Sequence, residues 1–244
     1  MTQFFLFIAV ILSYMVKGLT GFGNSLVMAP MFSMVVTPKT TTPVDLLFSL
    51  PANAYLVWKE KQGLDYKVVG PLALCVLIGN VPGILFLKTG NMTLLKVVLG
   101  IVVICIGLEM IFRDKIPGAD SVNPVVLTVL GVFSGFLAGM FGIGAPMVAY
   151  VNRVAKGSQS FRANLCCVFL IENVFRLIAY GLTGILTKSI VVMALVLAPA
   201  VIIGMQLGYK LYRKLDEVTV RKLVITLLLA SGSLLTIRNL IPLI

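Results

Sequence analysis

Gly18-Leu19-Thr20-Gly21-Phe22-Gly23 (18–23) and Gly139-Met140-Phe141-Gly142-Ile143-Gly144 (139–144) are the two stretches that decide how this sequence is read. Each splits an apolar region. Runs at 2–17 and 24–36 flank the first stretch, and runs at 124–138 and 145–155 flank the second. Arms of 11–16 residues reach only ~17–24 Å at helical rise, short of a ~30 Å hydrocarbon core. The clusters also share one spacing. Gly18, Gly21 and Gly23 match Gly139, Gly142 and Gly144 at an offset of 121. Asn53 matches Asn173 at 120, and Gly79 and Gly83 match Gly204 and Gly208 at 125. A set kept in register indicates an internal duplication. The expected organisation is a first repeat over 1–112, a polar connection over 113–123 and a second repeat over 124–244.

The remaining runs fit a membrane protein. Those at 66–87, 92–112 and 217–241 are full spans, and those at 43–58, 160–181 and 187–210 also qualify. Of the 244 residues, 59% are hydrophobic and 12% charged, with mean hydropathy +1.05. Soluble domains carry about twice that share of charge. The net charge of +11 would suggest nucleic acid in a soluble chain. Here the basic residues sit mostly in short connections between apolar runs, as the positive-inside rule requires, so no nucleic-acid partner is expected. The N-terminal run lacks a basic start and a small-residue cleavage site, and reads as a retained helix.

Composition also narrows the chemistry. Histidine is absent, and Cys75, Cys105, Cys166 and Cys167 lie in apolar runs without a CxxC pattern. No metal site, disulfide framework or cofactor is expected. Histidine-based catalysis is out, no nucleotide-binding loop is present, and an enzyme is not expected.

Two topologies compete. If each glycine-broken segment crosses once, eight crossings divide the 18 loop Lys and Arg 11 against 7. If each is a re-entrant hairpin, each half crosses three times, the halves are inverted, and the division is 13 against 5. The positive-inside rule favours hairpins. Loops 58–67, 113–124, 152–162 and 210–222 then face the cytoplasm. Non-helical backbone at membrane depth must line a cavity or be buried in protein, and paired broken helices at matching positions point to a transport site. Gly21, Gly23, Gly142 and Gly144 would let backbone approach a ligand, with helix-start amides cradling an anion. The expected fold is therefore an all-α polytopic transmembrane bundle. It would hold two inverted repeats, each a broken hairpin plus three spans.

Several polar residues fall inside apolar runs. Arg176 and Glu172 lie four apart on one helix face, and each charge costs about 2.5–3.5 kcal/mol near a helix centre. They could hold an anion and carry a proton, or form a closed structural pair. Arg162 could bind the anion or be a loop charge. Lys17 adjoins the first glycine turn and could reach the substrate or snorkel to the interface. Asn53 and Asn173 could flank one ligand or simply bond between helices. Asn24 and Ser25 could add donors. Asp45 is expected to open a short helix after Pro43 and complete its first turn, with proton coupling as the alternative. Asp216 and Glu217 read as a cap and first-turn charge on the last helix.

The duplicated GxxGxG turns, Ala145-Pro146 after the second, and Ser160-Phe161-Arg162-Ala163-Asn164 opening the next helix resemble the TauE/SafE family of anion transporters. The resemblance covers the whole chain. The sequence departs from the family at Asn24 after the first turn and at Ala145, where a further glycine is common. The resemblance implies two inverted halves in a bacterial cytoplasmic membrane. It implies movement of a small sulfur-containing or carboxylate anion, such as sulfite or an organosulfonate, by gradient- or proton-driven alternating access. An anion channel, a uniporter or a non-transporting membrane subunit are the alternatives.

Overall fold

A computed structural model describes residues 2–112, 124–212 and 217–240. The 113–123 connection and Asp216 lie outside the described residues. Every regular element among the described residues is a helix. In order come α1 (Thr2–Thr20), α2 (Asn24–Ser33), α3 (Pro38–Glu60), α4 (Tyr66–Thr89), α5 (Met92–Phe112), α6 (Pro124–Phe141), α7 (Ala145–Val154), α8 (Ser158–Leu182), α9 (Lys188–Tyr212) and α10 (Glu217–Leu240). A 3-10 turn, Lys61–Gly63, follows α3. By length and composition, α1, α4, α5, α8 and α9 can each cross a membrane. With ten helices packed this way, the polytopic bundle expected from the sequence is what the structure contains.

Two expectations change, and one span forms where it was expected. The first arms of the broken segments are longer than the apolar runs suggested: α1 has 19 residues and α6 has 18, or ~28 and ~27 Å of helix. The second arms, α2 and α7, have 10 residues each, or ~15 Å. Each break thus joins a long helix to a short one. The expected span at 217–241 forms α10, Glu217–Leu240, as its apolar run suggested. Finally, Asp45 does not open a helix. Pro38 sits at the start of α3, where its missing N–H is harmless, and Pro43 and Asp45 lie inside the helix. α3 is 23 residues long yet too polar to rank among the apolar spans, because Asp45, Ser49 and Asn53 form a stripe along it. That stripe is buried inside the protein.

The strongest helix pairings are α1 with α9, α4 with α6, α5 with α10 and α3 with α8. Each joins a helix before residue 113 to one after 123, so the two parts interlock. Exchanging α1–α5 for α6–α10 in order maps these four pairings onto themselves. Two apolar clusters obey the same exchange. One gathers α1, α2, α3 and α9 around Val10, Met28, Val44 and Leu197. The other gathers α4, α6, α7 and α8 around Val76, Leu130, Val148 and Leu165. Close backbone approach at matching glycines sets two of the crossings. A Cβ on Gly18 would come within 3.1 Å of the Gly208 Cα, and one on Gly83 within 3.1 Å of the Gly139 Cα. This is the small-residue packing that lets membrane helices meet closely.

Candidate functional site

The chain turns sharply at each break, through matching backbone. Gly21 N–H donates to Lys17 C=O (2.7 Å), and Gly142 N–H donates to Ala138 C=O (2.8 Å). Gly21, Gly23 and Gly142 have φ of +85°, +86° and +75°, a region that side chains disfavour. α2 then packs against α1, and α7 against α6. Neither α2 nor α7 has a side-chain cap at its N-terminus. Both N-termini line one small cavity of about 30 Å³, which Lys17, Ser49, Asn53, Phe169, Glu172 and Asn173 complete.

Nine sequence-predicted residues meet on this wall: Lys17, Gly23, Asn24, Ser25, Asn53, Gly142, Gly144, Glu172 and Asn173. Lys17 is 2% exposed. Its Nζ donates to Asn53 Oδ1 (2.8 Å) and Asn24 Oδ1 (3.1 Å). Among the described residues no carboxylate lies at ion-pair distance from it. Its fixed partners are neutral oxygens, which leave the ammonium charge uncompensated at contact. Asn173 reaches the same cavity from α8, and its Nδ2 is buried without a hydrogen-bond partner.

Behind Asn24 stands Asp45. Its carboxylate accepts from Asn24 Nδ2 (2.8 Å), from the Tyr14 hydroxyl (3.1 Å) and from Ser25 Oγ. Ser49 completes this network by accepting from Asn24 Nδ2 (2.7 Å). Asp45 is therefore tied down by side chains of α1 and α2 and does not face the cavity.

Arg176 is also off the wall. Its Nη1 donates to Ala138 C=O (2.6 Å) and lies 3.1 Å from Glu172 Oε1, and its guanidinium sits 5.7 Å from the Tyr180 ring centre. Glu172 Oε1 lacks the geometry of a hydrogen bond despite that distance, so the contact is an ion pair only. Gly142 separates these groups from the first network. A Cβ there would lie 3.3 Å from Arg176 Nη1, 3.4 Å from Asp45 Oδ2 and 3.5 Å from Ser25 Oγ. Gly21 and Arg162 form a separate contact away from the cavity wall, where a Cβ on Gly21 would meet Arg162 Cγ at 3.5 Å.

Sequence reasoning missed Tyr14, Ser49, Asn80, Phe169 and Tyr180. Spacing carried a signal for two of them. Ser49 completes Asp45-Ser49-Asn53 on α3, and Tyr180 completes Glu172-Arg176-Tyr180 on α8, both at four-residue steps that fall on one helix face. Tyr14 carried only the weaker hint of lying one turn before Lys17.

Comparison with known proteins agrees with this architecture. The family described as "Sulfite exporter TauE/SafE" matches residues 6–235. A "Probable sulfite/organosulfonate exporter TauE" from Cupriavidus necator (strain ATCC 17699 / DSM 428 / KCTC 22496 / NCIMB 10442 / H16 / Stanier 337) is 28% identical over 220 residues, covering 88% of this chain and 86% of the relative. No solved structure matches. The family match runs through both glycine breaks and every helix that builds the cavity, and on that ground this chain belongs to the sulfite exporter TauE/SafE family, multi-pass membrane transporters rather than enzymes.

Proposed function

We propose that the chain moves a small monoanion of the sulfite or organosulfonate type across the cytoplasmic membrane, binding it in the cavity between the two breaks. The observation that carries this reading is the Lys17 ammonium, buried between two uncapped helix N-termini and bonded only to amide oxygens. Helix N-termini carry partial positive charge and free N–H groups, so both favour an anion. Lys17 Nζ and Asn173 Nδ2 supply side-chain donors, and Gly23, Ser25, Gly142 and Gly144 keep the backbone within reach. The relative's name adds the sulfur-oxyanion class.

Arg176, Asp45 and Glu172 act around that centre. Arg176 and Asp45 set the potential behind Gly142, and Glu172 is the acid exposed to the cavity. Arg162, beside Gly21, attracts the anion on its way in. The chain is read as two inverted halves, 1–112 and 124–244, that rock about the cavity, as transporters with paired broken helices do. Supporting this are the matched turns and the pairing pattern that survives exchange of the halves.

Purified protein in liposomes tests the function. Labelled sulfite should accumulate against an internal pool of unlabelled sulfite, saturably, and alkanesulfonates should compete. Flux that never saturates would indicate a channel, and no flux would leave only a passive subunit. For topology, a cysteine placed at Gln62 should react with impermeant reagents only from the cytoplasm. Labelling from outside would undo the hairpin arrangement.

A further inference from the structure

Four charged side chains are buried among the described residues: Lys17, Asp45, Glu172 and Arg176. Two are cations and two are anions, so the empty site is neutral as a group. A monoanion entering it would leave one negative charge uncompensated in a low-dielectric interior, and such a charge is expensive there unless a proton or partner removes it. Neutrality on binding therefore requires one proton, and only two buried carboxylates can accept it.

The two carboxylates differ in readiness. Asp45 already accepts from Asn24, Tyr14 and Ser25, so a proton on it would break a filled set of bonds. It also lies off the cavity wall. Glu172 lines the cavity, and its Oε1 has no hydrogen-bond donor. Asn80 of α4 lies within interaction distance of the Glu172 carboxyl. Its Oδ1 is buried and has no donor either. An amide suits both states of an acid, since Nδ2 can donate to a carboxylate and Oδ1 can accept from a carboxylic acid. Glu172 faces Arg176 and Tyr180 from its own helix, Lys17 from α1, Asp45 from α3 and neutral Asn80 from α4. The lining residues of α7, Ala145 and Val148, add no titratable group.

We propose that Glu172 takes up one proton each time the cavity takes up one monoanion, and that the pair crosses together as an electroneutral unit. This rests on the anion site described above. The proton enters from the same side as the anion, bonds to a Glu172 oxygen and leaves with the anion on the other side. The membrane potential then does no work on the loaded site, and the anion and proton gradients together set the direction of flux. Affinity should rise as pH falls, by up to about tenfold per pH unit while Glu172 is ionised in the empty site.

The test uses methanesulfonate, which stays a monoanion across the working pH range, with sulfite in parallel. Anion is added to purified full-length protein in weak buffer, and proton uptake is read with an indicator dye. The wild type should take up one proton per anion bound, and Glu172→Gln should bind with no proton uptake and no pH dependence. Because that variant leaves Arg176 without its acid, the wild type is also examined by infrared difference spectroscopy. Anion should produce a carboxylic-acid band that shifts with isotope-labelled glutamate and not with labelled aspartate. Binding without proton uptake in the wild type overturns the inference and leaves the anion site standing, as does a band that follows aspartate. A wild type that binds neither anion overturns the inference and the function beneath it.

Discussion

The two glycine breaks share a backbone and differ in where their cation comes from. At the first, Lys17 belongs to the broken helix itself and points into the cavity. At the second, the matching position is Ala138, and its carbonyl accepts from Arg176 of α8. The turns share the same N–H to C=O bond across four residues, a left-handed glycine at Gly21 and Gly142 and a following helix of ten residues, and they part at the last glycine, where Gly23 is left-handed (φ +86°) and Gly144 is not (φ −104°). One charge therefore faces the cavity, while the other is engaged in contacts between helices. Similar backbone brings both N-termini to one cavity, and unmatched side chains set its charge.

Replacing each cation should separate these roles most clearly. Lys17→Gln removes a charged donor from the cavity and should weaken sulfite binding on the order of 100-fold, with little change in stability. Arg176→Gln leaves Glu172 buried without its partner. Breaking a buried pair from one side costs roughly 3–5 kcal/mol, so this variant should lose thermal stability first. Binding isotherms and unfolding transitions on the same preparations would measure both effects. If Arg176→Gln kept its stability and lost binding as fully as Lys17→Gln, the two breaks would share the ligand equally.

The turns themselves give a smaller contrast. Alanine in the left-handed region costs about 1–2 kcal/mol at either glycine. At Gly21 the added methyl would meet the Arg162 stem at 3.5 Å, an ordinary contact with a side chain that can move. At Gly142 it would press on Arg176 Nη1 at 3.3 Å, a tight contact with a buried ion-paired group, and touch Asp45 and Ser25 at ordinary distance. Gly142→Ala should therefore reduce flux per folded molecule about tenfold, and Gly21→Ala should reduce it less. Equal losses would show that strain alone governs both turns.

Much of this arrangement was legible because membrane and helix periodicity leave coarse marks. The bundle and the paired breaks followed from apolar runs and from glycine clusters repeated at an offset of 121. Six of the nine wall residues were found because polar groups are costly at membrane depth and so stand out, and Gly23, Gly142 and Gly144 because they interrupt apolar runs. The failures have physical causes as well. Proline usually marks a helix start, but Pro43 sits inside α3, so the expected first-turn role of Asp45 did not follow. The whole of each glycine cluster was taken as the break, but helix runs on through its first three residues, so α1 and α6 were drawn too short at their glycine ends. Which buried cation meets the cavity depends on helix rotation about α8, and no run or motif in one sequence records it.

The smallest expected effects test the matched amides. Asn173 Nδ2 has no partner, so Asn173→Ala should remove a free donor and lower affinity by about fivefold, near 1 kcal/mol. Asn53 is engaged by its oxygen, which accepts from Lys17. Asn53→Ala releases a donor hydrogen of Lys17 to the ligand, so affinity should stay within about twofold. The decisive comparison is the double-mutant cycle with Lys17→Gln. Asn53 acts through Lys17, so its small effect should vanish in that background. Asn173 bonds the ligand directly, so its fivefold loss should persist there. If both effects persisted, each amide would touch the anion, and the cavity would be more symmetric than its charges indicate.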